Sequence, residues 1–315
     1  MAPKLATAWL AVLCASAAEP FRGTLVSAQK LNEARDGAVV LRVTGLEREA
    51  ALDVRSRGRP LYYWIEVGRN TTLAEKHPMW MASLQGHNEW RRFFPKLAKP
   101  VEREVVKNYP WTPVMYQEAF DAHLSRVKEL LRVLPSPDGV FLNNLQGAPS
   151  ACGCGNSLCR WTTDYGPIRT ATRLAPDAAA RFVAAVRMLA PKSKIIPVWV
   201  TECEEQDKEK LCAGVGCFEG ACWREWTAQL MPLADQAETI AVLGTWRALK
   251  RDAGWVERAI GSFTRMPPRK GGRPVDASRL IAIVEREQDP TPVGGRVVAR
   301  EPIEQDWEPR IGKIN

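Results

Sequence analysis

Three glutamates lie at or just after the ends of short apolar segments, where parallel strands present functional side chains. They are Glu202, Glu66 and Glu285. A carboxyl group in such a position can act as a general acid, a general base or a nucleophile. Cleavage of a glycosidic bond needs two carboxyl groups, about 5–5.5 Å apart for retention or 6.5–9.5 Å apart for inversion. We predict that these glutamates are catalytic, with Glu202 as the first choice; the alternative is that each begins a solvated loop or pairs with an arginine.

Other polar residues accompany these glutamates. Asp164 lies in a cysteine-bearing segment and is a fourth candidate acid, although it could instead organise a turn. Asn143 and Asn144 end another apolar run. Their amides cannot serve as carboxylate bases but can bind a substrate hydroxyl, and the alternative is that they only terminate the strand.

Aromatic residues suggest a carbohydrate ligand. The chain has 12 tryptophans, a high number for its 315 residues. Flat amphipathic rings suit the faces of sugars, although core packing is the commoner fate of tryptophan. The candidate substrate-binding aromatics, all in or beside predicted strands, are Trp64, Trp199, Trp246 and Tyr116.

Seven of the eight cysteines form two groups in turn-rich segments. The groups are Cys152, Cys154 and Cys159, and Cys203, Cys212, Cys217 and Cys222. In an exported protein such cysteines are mostly disulfide staples, and an odd number leaves at least one that is free, bonded to another chain or otherwise engaged. Four thiolates could instead hold a structural zinc ion or an iron–sulfur cluster, and redox chemistry is a further alternative. We expect disulfides and no cofactor, with a structural metal on the cysteines as the alternative.

The N-terminus predicts export. Residues 1–18 combine Lys4, an apolar core and small residues, as in a cleaved signal peptide, so the mature protein is expected to be secreted or periplasmic. Residues 19–315 then form one domain with cysteine-bearing insertions at 145–175 and 202–223. The formal charge of +8 is scattered, so we expect no nucleic-acid partner, and no later apolar run is long enough for a transmembrane segment. The oligomeric state stays open.

Short apolar runs alternate with helical patterns along the chain. This alternation predicts an α/β fold, most simply a TIM-type (β/α)8 barrel. A helix bearing Phe120 and Leu131 should end before Pro135, and Asp177 should cap another helix. The eighth run is weak, so the barrel is either complete or irregular at its C-terminal end; an open doubly wound sheet is the alternative. The predicted strands are Ala38–Val43, Leu61–Val67, Thr112–Tyr116, Gly139–Asn143, Lys194–Thr201, Thr239–Gly244, Leu280–Glu285 and, weakly, Gly295–Arg300.

Three segments resemble uncharacterised exported bacterial proteins related to glycoside-hydrolase-like barrels. They are Trp80–His87, Gly139–Gln146 and Cys152–Tyr165, and the resemblance spans about residues 36–250. It implies a carbohydrate or cell-envelope polymer as partner, but supplies no catalytic residue. Three functions follow: an exported glycoside-hydrolase-like enzyme, a non-catalytic carbohydrate or envelope binder on the same barrel, and a metal- or thiol-dependent protein centred on the cysteines.

Overall fold

The computed structural model describes most of the predicted barrel. The residues it describes are 19–68, 70–77, 104–108, 112, 114, 117–145, 168–199, 236–247, 252–264, 274–303 and 309–313. The predicted signal peptide and all seven grouped cysteines lie outside these ranges. No helix in the described ranges is long and apolar enough to span a membrane.

Eight parallel strands form a closed barrel, which confirms the predicted fold class and excludes the open sheet. With strands numbered along the chain, the order around the barrel is β1 (Phe21–Val26), β2 (Ala38–Arg42), β3 (Leu61–Glu66), β5 (Gly139–Asn143), β6 (Lys194–Trp199), β7 (Ile240–Leu243), β8 (Leu280–Val284) and β9 (Gly295–Ala299). The weakly predicted β9 pairs with β1 and closes the barrel. A separate antiparallel ribbon joins β4 (Glu104–Asn108) to β10 (Pro309–Lys313).

Helices connect the strands and cover the outside of the barrel. Those described are α1 (Arg48–Ser56), α2 (Thr71–Lys76), α3 (Gln117–Val133), α4 (Ile168–Leu189) and α5 (Trp255–Thr264), with 3-10 helices at Ala28–Glu33 and Ala277–Arg279. The predicted helix before Pro135 is confirmed as α3. The predicted cap at Asp177 is wrong, because α4 already begins at Ile168 and includes Asp177.

Two strand assignments made from the sequence need correction. Phe21–Val26 is a barrel strand that we did not predict, because it directly follows the proposed signal peptide and Arg22 and Thr24 interrupt its apolar pattern. Thr112–Tyr116 does not supply a barrel strand, because β3 pairs directly with β5. Thr112 instead donates its backbone N–H to the carbonyl of Gly68, 2.7 Å away, and so lies against the segment after β3.

Alternating side chains divide the core into two layers. The inward-facing residues of the strands fill the barrel, among them Tyr62, Trp64 and Phe141. The rings of Trp64 and Phe141 stack with centroids 6.0 Å apart and an interplanar angle of 24°. The other faces of the strands pack against the helices, as Ile65 and Val127 do. The barrel is therefore packed through its centre, and a ligand site belongs at the carboxyl ends of the strands.

The strand register fixes the height of each residue in the barrel. Following the pairs from Glu66 through β5, β6 and β7, and extending each by at most one residue, leads to Ile281 on β8. Continuing through β9, β1 and β2 returns to Gly58, eight residues before Glu66, which is the stagger of a TIM barrel. Half a circuit therefore shifts the register by four residues. The β8 residue level with Glu66 is the one four positions after Ile281, which is Glu285.

Candidate active site

Glu66 is the centre of a hydrogen-bonded group at the carboxyl end of β3. The indole N–H of Trp64 donates to its Oε1 at 2.7 Å. The side-chain amide of Asn143 lies 3.1 Å from Oε1 and 2.9 Å from Oε2, and the amide of Asn144 donates to Oε2 at 2.6 Å. The three partners all present N–H groups, so they complement a charged carboxylate and fix its orientation.

Strand pairing explains why these residues meet. Trp64 and Glu66 are two residues apart on β3 and share its inward face, while Asn143 pairs with Glu66 across β3 and β5. Asn144 follows β5 and has a φ of 58°. This left-handed backbone turns its amide towards Glu66, and asparagine tolerates the conformation better than most residues.

The backbone after β3 is tied to the same group. The N–H of Val67 bonds to the carbonyl of Asn143 at 2.9 Å, and the N–H of Gly68 bonds to that of Asn144 at 3.1 Å. A side chain at position 68 would place its Cβ 2.3 Å from the oxygen of Asn144. The close approach of the two chain segments therefore requires glycine there.

Arg126 of α3 binds the backbone of Glu66. Its guanidinium donates to the backbone carbonyl of Glu66, and its Nε is buried without a hydrogen-bond partner in the described part of the chain. Burial lowers the pKa of Arg126, and the nearby charge of Glu66 opposes that shift. We did not predict Arg126 from the sequence. The available signal was a charged residue on the helix face that also carries buried His123, Val127 and Leu130.

Two buried acceptors remain unused beside Glu66. Asn143 and Asn144 are only 1% and 3% exposed, and among the described residues neither Oδ1 atom has a hydrogen-bond partner. Buried polar atoms without partners are rare in folded proteins and commonly mark a position for water or a ligand. Here a hydroxyl group could donate to them.

Glu285 stands across the barrel from Glu66. In the strand order, three strands separate β3 from β8 in either direction, so the two strands are diametrically opposite. Ile281 and Ile283 face the barrel interior, and the same alternation assigns Glu285 to the inward register, at the level of Glu66. Glu285 is half-buried, and its Oε2 accepts the backbone N–H of Arg247 at 3.0 Å. Two carboxyl groups thus belong to one layer at the barrel mouth.

The other predicted site residues have different positions. Trp199 is 2% exposed and packs in the outer cluster between the barrel and the helices. It does not line the barrel interior with Trp64. Trp246 is half-buried, and the guanidinium groups of Arg247 and Arg286 lie 5.0 Å and 5.2 Å from its ring centroid. The predicted residues outside the described ranges are Glu202, Asp164, Tyr116, Cys152, Cys154, Cys159, Cys203, Cys212, Cys217 and Cys222.

In the described ranges, no group of three or more histidine, cysteine, aspartate or glutamate side chains is placed to hold a metal ion. The alternative of a metal held by the cysteines concerns residues outside those ranges and stays a prediction.

Comparison with known proteins gives structural likeness without a family. No protein-family model matches the sequence, and no curated protein matches it. Similar solved structures include several glycoside hydrolases. The glycoside hydrolase domain of PelA from Pseudomonas aeruginosa is 14% identical, with a TM-score of 0.43, over 84% of this chain and 83% of that chain.

Two further solved structures show the same degree of likeness. The β-galactosidase from Marinomonas ef1 is 10% identical, with a TM-score of 0.44, over 89% of this chain and 54% of that chain. The chitinase from Chromobacterium violaceum is 9% identical, with a TM-score of 0.39, over 84% of this chain and 67% of that chain. At these identities the role of each residue has to be argued from the geometry of the barrel itself.

Proposed function

We propose that the chain is an exported glycoside hydrolase whose catalytic pair is Glu66 and Glu285. The observation that carries the proposal is their register: two carboxyl groups at one level on opposite strands, at the end of the barrel where TIM-barrel enzymes hold their substrates. A glycosidic bond held between them would have one carboxyl group on either side, as hydrolysis requires.

The surroundings of the two glutamates suggest different roles. Glu66 accepts hydrogen bonds from Trp64, Asn143 and Asn144, which suits a nucleophile or a base that must be charged and fixed. Glu285 lies across the barrel from this fixed carboxylate, and we assign it the role of proton donor to the leaving oxygen. The free Oδ1 atoms of the asparagines would accept hydroxyl groups of the sugar.

Activity measurements on single variants test this function. The mature protein, residues 19–315, is produced by export and incubated with a panel of bacterial and plant polysaccharides, and release of reducing ends is measured. Glu66→Gln and Glu285→Gln keep the size of each side chain but remove its acid–base and nucleophilic chemistry. We expect each to lower turnover by about 10²–10⁴-fold. Thermal unfolding should be unchanged in Glu285→Gln and somewhat earlier in Glu66→Gln, because the glutamine N–H2 faces the N–H donors around position 66.

Further variants and readouts separate the alternatives. If Glu285→Gln remains active while Glu202→Gln or Asp164→Asn does not, the second carboxyl group comes from the cysteine-bearing segments and the proposed pair is wrong. Polysaccharide binding without turnover, unaffected by Glu66→Gln, would favour the non-catalytic binder. The anomer formed first, followed by NMR, reports whether configuration is retained or inverted.

Export and the state of the cysteines are part of the proposal. We propose that residues 1–18 direct the chain out of the cytoplasm and that the seven remaining cysteines form three disulfides, leaving one thiol. The mass of the mature N-terminus, a thiol titration and metal analysis of the exported protein test this. One thiol and no bound metal are expected, whereas about one metal ion per chain would favour the cysteine-centred alternative.

A further inference from the structure

Arg42 places a positive charge at the barrel mouth beside the proposed catalytic layer. It ends β2 and pairs in register with Trp64. Because neighbouring strands are staggered by one residue, Arg42 lies one residue further towards the barrel mouth than Trp64. Its height is therefore between those of Trp64 and Glu66. Val40, two residues earlier, packs inside the barrel, so Arg42 belongs to the inward register. The side chain is half-buried, in the wall next to the strand that carries Glu66.

Within the described ranges, this arginine has no anionic partner. Its one hydrogen bond there runs from a terminal guanidinium nitrogen to the carbonyl of Pro302, at 3.2 Å. Its Nε is buried and has no partner among the described residues. Two carboxylates of the described ranges at this end of the barrel have other partners, since Glu66 accepts three N–H groups and Glu301 accepts the hydroxyl of Ser27 at 2.7 Å.

An arginine in such a position is suited to bind an anion. A partly buried guanidinium loses hydration, and a carboxylate or sulfate group can restore the lost interactions by accepting two hydrogen bonds. The chain also carries a formal charge of +8, which favours the approach of an acidic polymer. A neutral ligand would offer Arg42 no compensating charge.

We propose that Arg42 binds an anionic substituent, a carboxylate or a sulfate, on the sugar held beside Glu66, so that the substrate is an acidic glycan. This inference rests on the proposed function for the location of the sugar. It requires only that a glycan occupy the barrel mouth, and does not depend on whether Glu285 or another acid donates the proton.

Binding measurements with three probes test the inference. The probes are oligogalacturonate, a sulfated oligosaccharide and a neutral oligosaccharide of similar length, and affinity is measured by calorimetry in the Glu66→Gln background to prevent turnover. Arg42→Gln removes the charge but retains a donor for the Pro302 carbonyl. Arg132→Gln is the matched control, because it removes the same charge from an exposed side chain on α3.

The expected result is selective. Arg42→Gln should weaken binding of at least one acidic probe about tenfold or more while leaving the neutral probe unchanged. Arg132→Gln should change neither. The acidic probe affected identifies the anion as carboxylate or sulfate. Equal affinities of Arg42→Gln and its parent for both acidic probes, or equal losses for acidic and neutral probes, would overturn the inference. Because binding rather than hydrolysis is measured, an inactive protein would contradict the proposed function without deciding this one.

Discussion

The side-chain amide of Asn144 lies 2.6 Å from Oε2 of Glu66 and is held there by a left-handed backbone, with φ at 58°. The residue that follows β5 thus orients the carboxylate that ends the neighbouring strand β3. Asn143 and Trp64 complete the group, so the position of Glu66 depends on side chains from two adjacent strands.

Two replacements of Asn144 distinguish the contribution of its side-chain amide from that of its left-handed backbone. Asn144→Gly removes the donor to Glu66 but suits a positive φ, so it should lose only the stability of one hydrogen bond to a charged group, about 1.5–3 kcal/mol, while kcat/KM falls about 10- to 100-fold. Asn144→Ala loses the same donor and should also lose about 1 kcal/mol of stability from backbone strain. Polysaccharide hydrolysis and urea unfolding of both variants check this. Full activity of Asn144→Gly would show that the amide does not matter to the reaction.

Gly68 controls how closely the segment after β3 approaches β5. Gly68→Ala would place a Cβ 2.3 Å from the backbone oxygen of Asn144, which cannot move without disturbing the contact to Glu66. We expect a loss of about 2–3 kcal/mol in the free energy of unfolding, measured in urea. Gly254→Ala is the control, since its nearest atoms, at 3.0 Å and 3.1 Å, belong to the exposed side chains of Arg258 and Asp252. Equal stability of the two variants would argue against a tight contact at position 68.

Buried His123 makes the stability of the fold depend on pH. Burial lowers its pKa to about 4, the hydrogen bond to the Thr112 carbonyl partly opposes this, and the charge of Arg126 lowers the pKa further. The unfolded chain, with a pKa near 6.5, therefore binds a proton before the folded one does. The contribution of the neutral ring is complete above about pH 6.5 and is lost as the pH falls towards 4, by about 3 kcal/mol in all.

A glutamine variant isolates this effect from the carboxylates that titrate in the same range. Unfolding free energies of the parent and of His123→Gln are measured from pH 7.5 to pH 4. The difference between the two should shrink as the pH falls, because only the parent loses stability through the histidine. A difference that stays constant across that range would mean that His123 is not neutral in the folded protein.

Much of the barrel could be predicted from the sequence because its strands are apolar on both faces. Runs such as Leu61–Val67 and Gly139–Asn143 stand out from their surroundings, and the order of strands in a TIM barrel follows the order of the chain. Phe21–Val26 was missed because Arg22, Gly23 and Thr24 break its pattern, although Leu25 and Val26 are fully buried.

The site could be predicted only in part, because strand-end position does not specify side-chain contacts. Glu66, Asn143 and Asn144 were each singled out as strand-end residues, but nothing in the sequence shows that the two amides bind this carboxylate. Trp64 was assigned to sugar stacking, whereas its indole N–H donates to Glu66 from a fully buried position. To see that Glu66 and Glu285 lie at the same height, the register of every strand pair in the barrel must be known. The apolar pattern of the sequence does not specify that register.

The pairing of Glu66 with Glu285 is tested most directly by a double-mutant cycle on kcat/KM. The parent, Glu66→Gln, Glu285→Gln and the double variant are compared on one hydrolysed polysaccharide. If the two carboxyl groups act as a unit, each single variant should be slower by about 10²–10⁴-fold and the double variant within about tenfold of the slower single variant. A single variant that retains the kcat/KM of the parent, or losses that multiply fully in the double variant, would contradict the pair.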